Sequence, residues 1–213
     1  EGETASEIYD RSKENAEPNL EMFIHVTKDG FGAIGHVDIC YKGRIISFGN
    51  YDTNSERLFG AMGDGVLFSA DREKYIEFCK RENHKTLLGY GLALSPEQLA
   101  AVDKEIAKLM SLTVPWDPPK TVKPKRPGID KEEPMYAYKL KQEADGRLYK
   151  FTSSKFKTYF VMSTNCVLLA DTIVGAAGTD ILSVRGFISP GTYQDYLDKE
   201  FERPHSLVVT KRV

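Results

Sequence analysis

No apolar run in this 213-residue chain reaches the length needed to span a bilayer. There is no excess of charge of either sign: 29 Lys and Arg against 31 Asp and Glu leave a net charge of −2, and the basic residues are scattered. That excludes the electrostatic footprint of a nucleic-acid binder or of a protein docked on an anionic membrane. With three cysteines, Cys40, Cys79 and Cys166, internal pairing leaves at least one thiol free, and none is placed as Cys-x-x-Cys. His, Cys and carboxylates nowhere fall at zinc spacing, so neither a metal nor an organic cofactor is expected. His36 and Asp38 imitate a metal pair, but strand geometry separates them from any obvious third ligand. Gly30, Gly32 and Gly35 break the chain without the Gly-Lys-Ser/Thr ending of a P-loop, and they read as turns rather than a phosphate cradle. The first residues hold neither an initiator Met nor a signal-peptide core; the start is read as trimmed or as a mature terminus, and export to a periplasm or cell surface is the expectation.

What is there centres on residues 158–174. The β-prone run Tyr159, Phe160, Val161, Met162 gives way to Ser163, Thr164 and Asn165, residue types that cap helices, and a helical pattern then continues to Gly178. Cys166 therefore falls in the first turn of a helix. Unpaired N–H groups and the positive end of the dipole stabilise a thiolate there, and the same groups can hold an oxyanion. The competing reading is a core cysteine packed with Val167, Leu168 and Leu169.

A nucleophile needs a base, and His36 opens a candidate hairpin. Gly35 to Tyr41, a Lys42-Gly43 turn and Arg44 to Phe48 put Val37, Ile39 and Tyr41 on one face and His36, Asp38 and Cys40 on the other. Ser47, Asn50 and Asp52 lie close enough in sequence to orient an imidazole. His84 and His205 read as surface residues.

The remainder reads as scaffold. Residues 1–20 form a polar arm. Met22 to Thr27 and Thr86 to Leu94 have strand character, and residues 71–82 form an amphipathic helix with Tyr75, Phe78 and Cys79 inward. Ser95, Pro96 and Gln98 start a helix to about Ser111 through a capping box. Residues 115–134 hold six of the ten prolines (Pro115, Pro118, Pro119, Pro124, Pro127, Pro134) and the single tryptophan, Trp116, and are expected to be an extended insertion, either a substrate-edge flap or a surface loop. Met135 to Leu140 and Arg147 to Thr152 are expected as strands around an Asp145-Gly146 turn. Residues 179–188 are expected as loop and short strand, 190–201 as a helix, and Ser206 to Lys211 as a closing strand.

Gly35-His36 opening a strand, Phe48 to Asp52 ending its partner, a Gly-containing stretch ending at Gly65 to Phe68, and Asn165-Cys166 opening an apolar helix resemble the N-terminal envelope domain of Lnb-type bacterial proteins. More broadly they resemble the circularly permuted NlpC-like branch of papain-fold thiol hydrolases and acyltransferases, which includes lecithin:retinol acyltransferase relatives. The resemblance covers about residues 22 to 201. It implies an α+β, permuted papain-like fold in residues 21–213, with an antiparallel, barrel-like sheet packed on a cysteine-bearing helix. It implies Cys166 as nucleophile and His36 as base. Ser47 aligns best with the third residue and Asn50 is the nearest amide, neither being the expected carboxylate or histidine. Asn165, Trp116 and Asp52 are the candidate substrate-binding residues. The implied reaction is hydrolysis or acyl transfer at an amide or ester of a peptide, peptidoglycan fragment or acyl group; a non-catalytic binding module and a purely structural protein are the alternatives.

Overall fold

A computed structural model describes residues 11–12, 17–26, 35–83, 86–123, 128, 131–178 and 189–213. The strands are β1 (Arg11–Ser12), β2 (Leu20–Val26), β3 (His36–Tyr41), β4 (Arg44–Gly49), β5 (Met62–Asp64), β6 (Val66–Asp71), β7 (Thr86–Leu92), β8 (Thr113–Pro115), β9 (Thr121–Val122), β10 (Glu133–Pro134), β11 (Arg147–Phe151), β12 (Thr158–Phe160) and β13 (Val208–Arg212). The helices are α1 (Arg72–Asn83), α2 (Pro96–Ser111), α3 (Tyr136–Glu143), α4 (Cys166–Gly175) and α5 (Pro190–Glu202). The expected polar arm, apart from residues 11–12 and 17–20, lies outside the described residues, as do Gly30, Gly32, His84 and residues 179–188.

Nine strands form one sheet in the order β1-β13-β7-β2-β3-β4-β6-β11-β8, every pairing antiparallel. Its centre is the β3–β4 hairpin, closed by Lys42 (φ 51°) and Gly43 (φ 73°), both in the left-handed conformation that a two-residue hairpin turn requires. Among the described residues β1 and β8 do not pair with each other, so the sheet is open rather than barrel-like. Helices cover both its faces and bury the surface that closure would otherwise hide.

Strand alternation sorts the side chains. Met22, Ile24, Val37, Ile39 and Phe48 face one core, completed by Val102 and Leu109 of α2, Cys166, Val167, Leu169 and Ile173 of α4, and Tyr193 and Leu197 of α5. Phe23, Cys40, Ile45 and Phe68 face the other, completed by Tyr75, Phe78 and Cys79 of α1 and Ala137 and Leu140 of α3. Helix α2 begins as its capping residues dictate: Ser95 Oγ accepts from Gln98 N at 3.2 Å while Gln98 Oε1 accepts from Ser95 N at 2.9 Å.

Two expectations fail around residue 135. The stretch read as a strand is α3, because Ala137, Leu140 and Ala144, all 0% exposed, recur at helical spacing against α1 and β11. Asp145 (φ 49°) and Gly146 then form a helix-to-strand turn rather than a hairpin. The described part of the proline-rich segment also holds regular pairing where an extended loop was expected, and residues 124–127 and 129–130 lie outside the described residues. Thr113–Pro115 adds an edge strand to β11, Trp116 N donates to Leu148 O at 2.9 Å, and β9 pairs with β10.

Candidate functional site

The chain approaches Cys166 through a small two-stranded sheet in which β12 pairs with β5. Phe160 N donates to Thr164 O and Ser163 N to Phe160 O, both at 3.0 Å, folding the strand back into a tight turn. Asn165 ends that turn with extended backbone (φ −119°) and caps α4: its Oδ1 accepts from Leu168 N at 3.1 Å, and its Nδ2 donates to Val161 O at 3.0 Å. Asn165 is thus spent on holding the helix terminus, with 5% exposure, rather than on an open substrate surface. Cys166 is the first residue of α4, where backbone N–H groups precede any intrahelical acceptor, and it is 2% exposed.

His36 is the first residue of β3, paired with His25 of β2. Its Nε2 is 2.6 Å from Ser47 Oγ, 2.7 Å from Asp38 Oδ1 and 3.2 Å from Tyr51 Oη. Ser47 has the aligned hydrogen bond, and Asp38 Oδ1 lies off the hydrogen-bond line as a close ion-pair contact. Burial works against the imidazolium, but the facing charges and close contacts of Asp38 and Cys166 outweigh it and hold the His36 pKa well above its ordinary value. The side chain keeps 25% exposure, so one edge of the ring reaches solvent.

Asp38 is 0% exposed. Burial alone would raise a carboxyl pKa, yet His36 and His25 hold Asp38 well below the usual carboxylate range. Its Oδ2 contacts His25 Nε2 at 2.6 Å and accepts from Tyr75 Oη at 2.7 Å. Tyr51 closes the cluster, 3.1 Å from Ser47 Oγ, with its ring edge-on to His36. Burial, and then the charge of Asp38, keeps the Tyr51 and Tyr75 phenols protonated far above their ordinary range, so both are neutral hydroxyls here. Cys166 also lies near Tyr159 and Tyr51, whose phenols a thiolate there would raise further.

The structure brings Cys166, His36 and Ser47 together. Asn50 stands apart: its Nδ2 reaches the carbonyls of Gly60 and Met62, each at 3.4 Å. Asp52 caps the turn Thr53–Ser55 by accepting from Asn54 N at 3.1 Å, and pairs with Lys150 at 2.6 Å. Trp116 packs against the second core, with Lys150 Nζ 5.0 Å above its ring. These three residues have structural partners where orienting or substrate-binding roles were expected. Cys40 is buried, and burial pushes its thiol up to about 12; Cys79 lies in the second core. No disulfide joins the three cysteines. His205 is exposed in a turn after α5.

Asp38, His25, Tyr51 and Tyr75 are the members that the sequence reading missed. Asp38 had a signal: it is two residues from His36 on the same strand face, opposite an aliphatic row. A buried acid beside a histidine serves as a partner of that histidine even without a metal, and among the described residues no three His, Cys, Asp or Glu side chains could hold a metal ion. His25 comes from a different strand, paired directly with His36, and Tyr75 from α1 across the core. Comparison with known proteins returned no matching family model, curated protein or solved structure.

Proposed function

We propose that the protein is a cysteine-dependent hydrolase or acyltransferase with a permuted papain-like arrangement, acting on an amide or ester carbonyl. The observation that carries this reading is His36, engaged through Nε2 by Asp38 and Ser47 and coupled to the sulfur of Cys166 at a helix terminus. The Cys166 thiolate attacks the carbonyl carbon, and the resulting oxyanion is received by the N–H groups of the first turn of α4. The His36 imidazolium gives its proton to the departing amine or alcohol, leaving a thioester on Cys166 and a neutral imidazole. That imidazole then takes a proton from water or a second acceptor as it attacks the thioester, and the acyl group leaves with the thiolate restored. Asp38 supports the charge on His36, and Ser47 fixes the plane of its ring. A peptide, a peptidoglycan fragment or an acyl group in an exported bacterial setting is the substrate class that fits the resemblance.

A second reading has one observation in its favour. Cys166 is 2% exposed, so a substrate carbonyl reaches the sulfur only if the surrounding side chains part, whereas a non-catalytic module would hold its ligand without such access. Iodoacetamide labelling across about pH 5 to 9 separates the two. The enzyme reading expects Cys166 to alkylate selectively at neutral pH, ahead of Cys40 and Cys79, and to lose that advantage in His36→Ala. Labelling of Cys166 no faster than an ordinary thiol over the whole range would remove its support.

A further inference from the structure

We propose that His25 and Tyr75 are positioning residues of the Cys166 site: together they occupy Oδ2 of Asp38 and so hold its Oδ1 against Nε2 of His36. This rests on the reading of Cys166 and His36 as a reactive pair.

A carboxylate on a strand can rotate about its Cβ–Cγ bond and present either oxygen. Here Oδ2 is held by two donors from different elements. His25 Nε2 comes from β2 at 2.6 Å, and Tyr75 Oη comes from α1 at 2.7 Å. Since Asp38 is ionised, both atoms facing it must carry hydrogen, so Nε2 of His25 is a donor. Tyr75 Oη is also 3.4 Å from His25 Nε2, so the two donors converge on one oxygen. All three side chains are buried, at 0% exposure for Asp38, 2% for Tyr75 and 5% for His25, and no solvent competes for the carboxylate. The rotation is thereby settled. Oδ1 receives no aligned hydrogen bond and lies 2.7 Å from His36 Nε2, the one charged contact left to it. The ring centroids of His25 and His36 are 5.2 Å apart, which brackets the carboxylate between two imidazoles on neighbouring strands.

The chain of contacts then runs from Tyr75 and His25 through Asp38 to His36 and Cys166. Loss of either donor frees Oδ2, lets the carboxylate turn, and weakens the hold on the His36 charge. The other ionisable or polar groups that face this cluster are Ser47 and Tyr51 beside His36, and the neutral Cys79 and Tyr136 on the side of Tyr75. None of these supplies a second carboxylate.

The test is histidine side-chain NMR titration alongside iodoacetamide labelling of the whole chain in the wild type, Tyr75→Phe, His25→Leu and His25→Gln. Tyr75→Phe keeps the ring against His25 and Phe68 and removes only the hydroxyl; His25→Gln keeps an N–H donor. The expected result is a His36 titration midpoint that moves down toward the ordinary histidine range in Tyr75→Phe and His25→Leu, with Cys166 labelling at neutral pH several-fold slower. His25→Gln should restore much of both. A merely structural role would lower thermal stability and leave the His36 midpoint in place. An unchanged midpoint in folded Tyr75→Phe, or a His25→Gln protein no better than His25→Leu, would overturn the proposal. Wild-type Cys166 that fails to label selectively would instead sink the reading of the site on which it rests.

Discussion

With 0% exposure, Asp38 has no water to solvate its charge, and only His36, His25 and the Tyr75 hydroxyl make that charge tolerable. Replacing it with an amide leaves two imidazoles facing a group that cannot balance them. Asp38→Asn is expected to cost about 3 kcal/mol of stability, measured by urea unfolding, and to remove the neutral-pH labelling advantage of Cys166. Ser47→Ala is the gentler change, because it removes an aligned but neutral partner. It should cost about 1 kcal/mol and slow labelling without abolishing it, and equal damage from the two substitutions would show that charge is not what His36 takes from Asp38. Cys166 and His36 were legible as residues because each opens a recognisable element. The partners of His36 were only half legible. Ser47 came from its nearness in sequence to His36 and from the family resemblance, whereas Asp38, on the same strand face as His36, was set aside as an unfinished metal pair.

The helix that presents Cys166 depends on one side chain for its start. Asn165→Ala removes the acceptor for Leu168 N and the donor to Val161 O and should destabilise by about 1 kcal/mol. The expected consequence for function is slower labelling of Cys166 as the first turn frays, and hydrogen exchange at Leu168 would report it. A neighbouring constraint is Gly65, between β5 and β6, where an added Cβ would fall on the carbonyl of Phe156. Trp116 belongs to a different element and a different core. Trp116→Ala should cost about 2 kcal/mol through lost apolar contact with the α1 and α3 side of the sheet, and should leave Cys166 labelling unchanged. A labelling change with no loss of stability would return Trp116 to the substrate edge. Capping residues and hairpin turns were readable because their causes are local. Helix α3 was not: Met135 to Leu140 mixes apolar and polar residues at short range, and only the packing of Ala137, Leu140 and Ala144 against α1 makes the helical period the relevant one.

Across the whole molecule the coupled groups impose a pH window on stability. His36 binds its proton more tightly folded than unfolded, so its contribution is complete below its ordinary value of about 6.5 and is lost as pH rises through the higher folded value. Asp38 behaves oppositely. Its contribution is complete above about 4 and is lost as pH falls toward its depressed folded value. Unfolding free energy measured against pH should therefore fall on both sides of a plateau between about pH 4 and 6.5, and His36→Ala should flatten the alkaline arm and shrink the acid arm, which then rests on His25 alone. An alkaline arm that survives in His36→Ala would assign it to other groups. The sequence by itself determined the strand alternation around His36, the capped helix opening at Cys166, the α2 capping box and the mixed helix-and-strand content, since each follows from periodicity or from side-chain-to-backbone bonds within a few residues. Only the tertiary structure decided that helices cover both faces of an open sheet, that α3 is a helix, and that His25, Asp38 and Tyr75 meet. Those outcomes depend on contacts between residues far apart in sequence, 50 positions for His25 and Tyr75 and 171 for Met22 and Tyr193, and such contacts leave no local pattern to read.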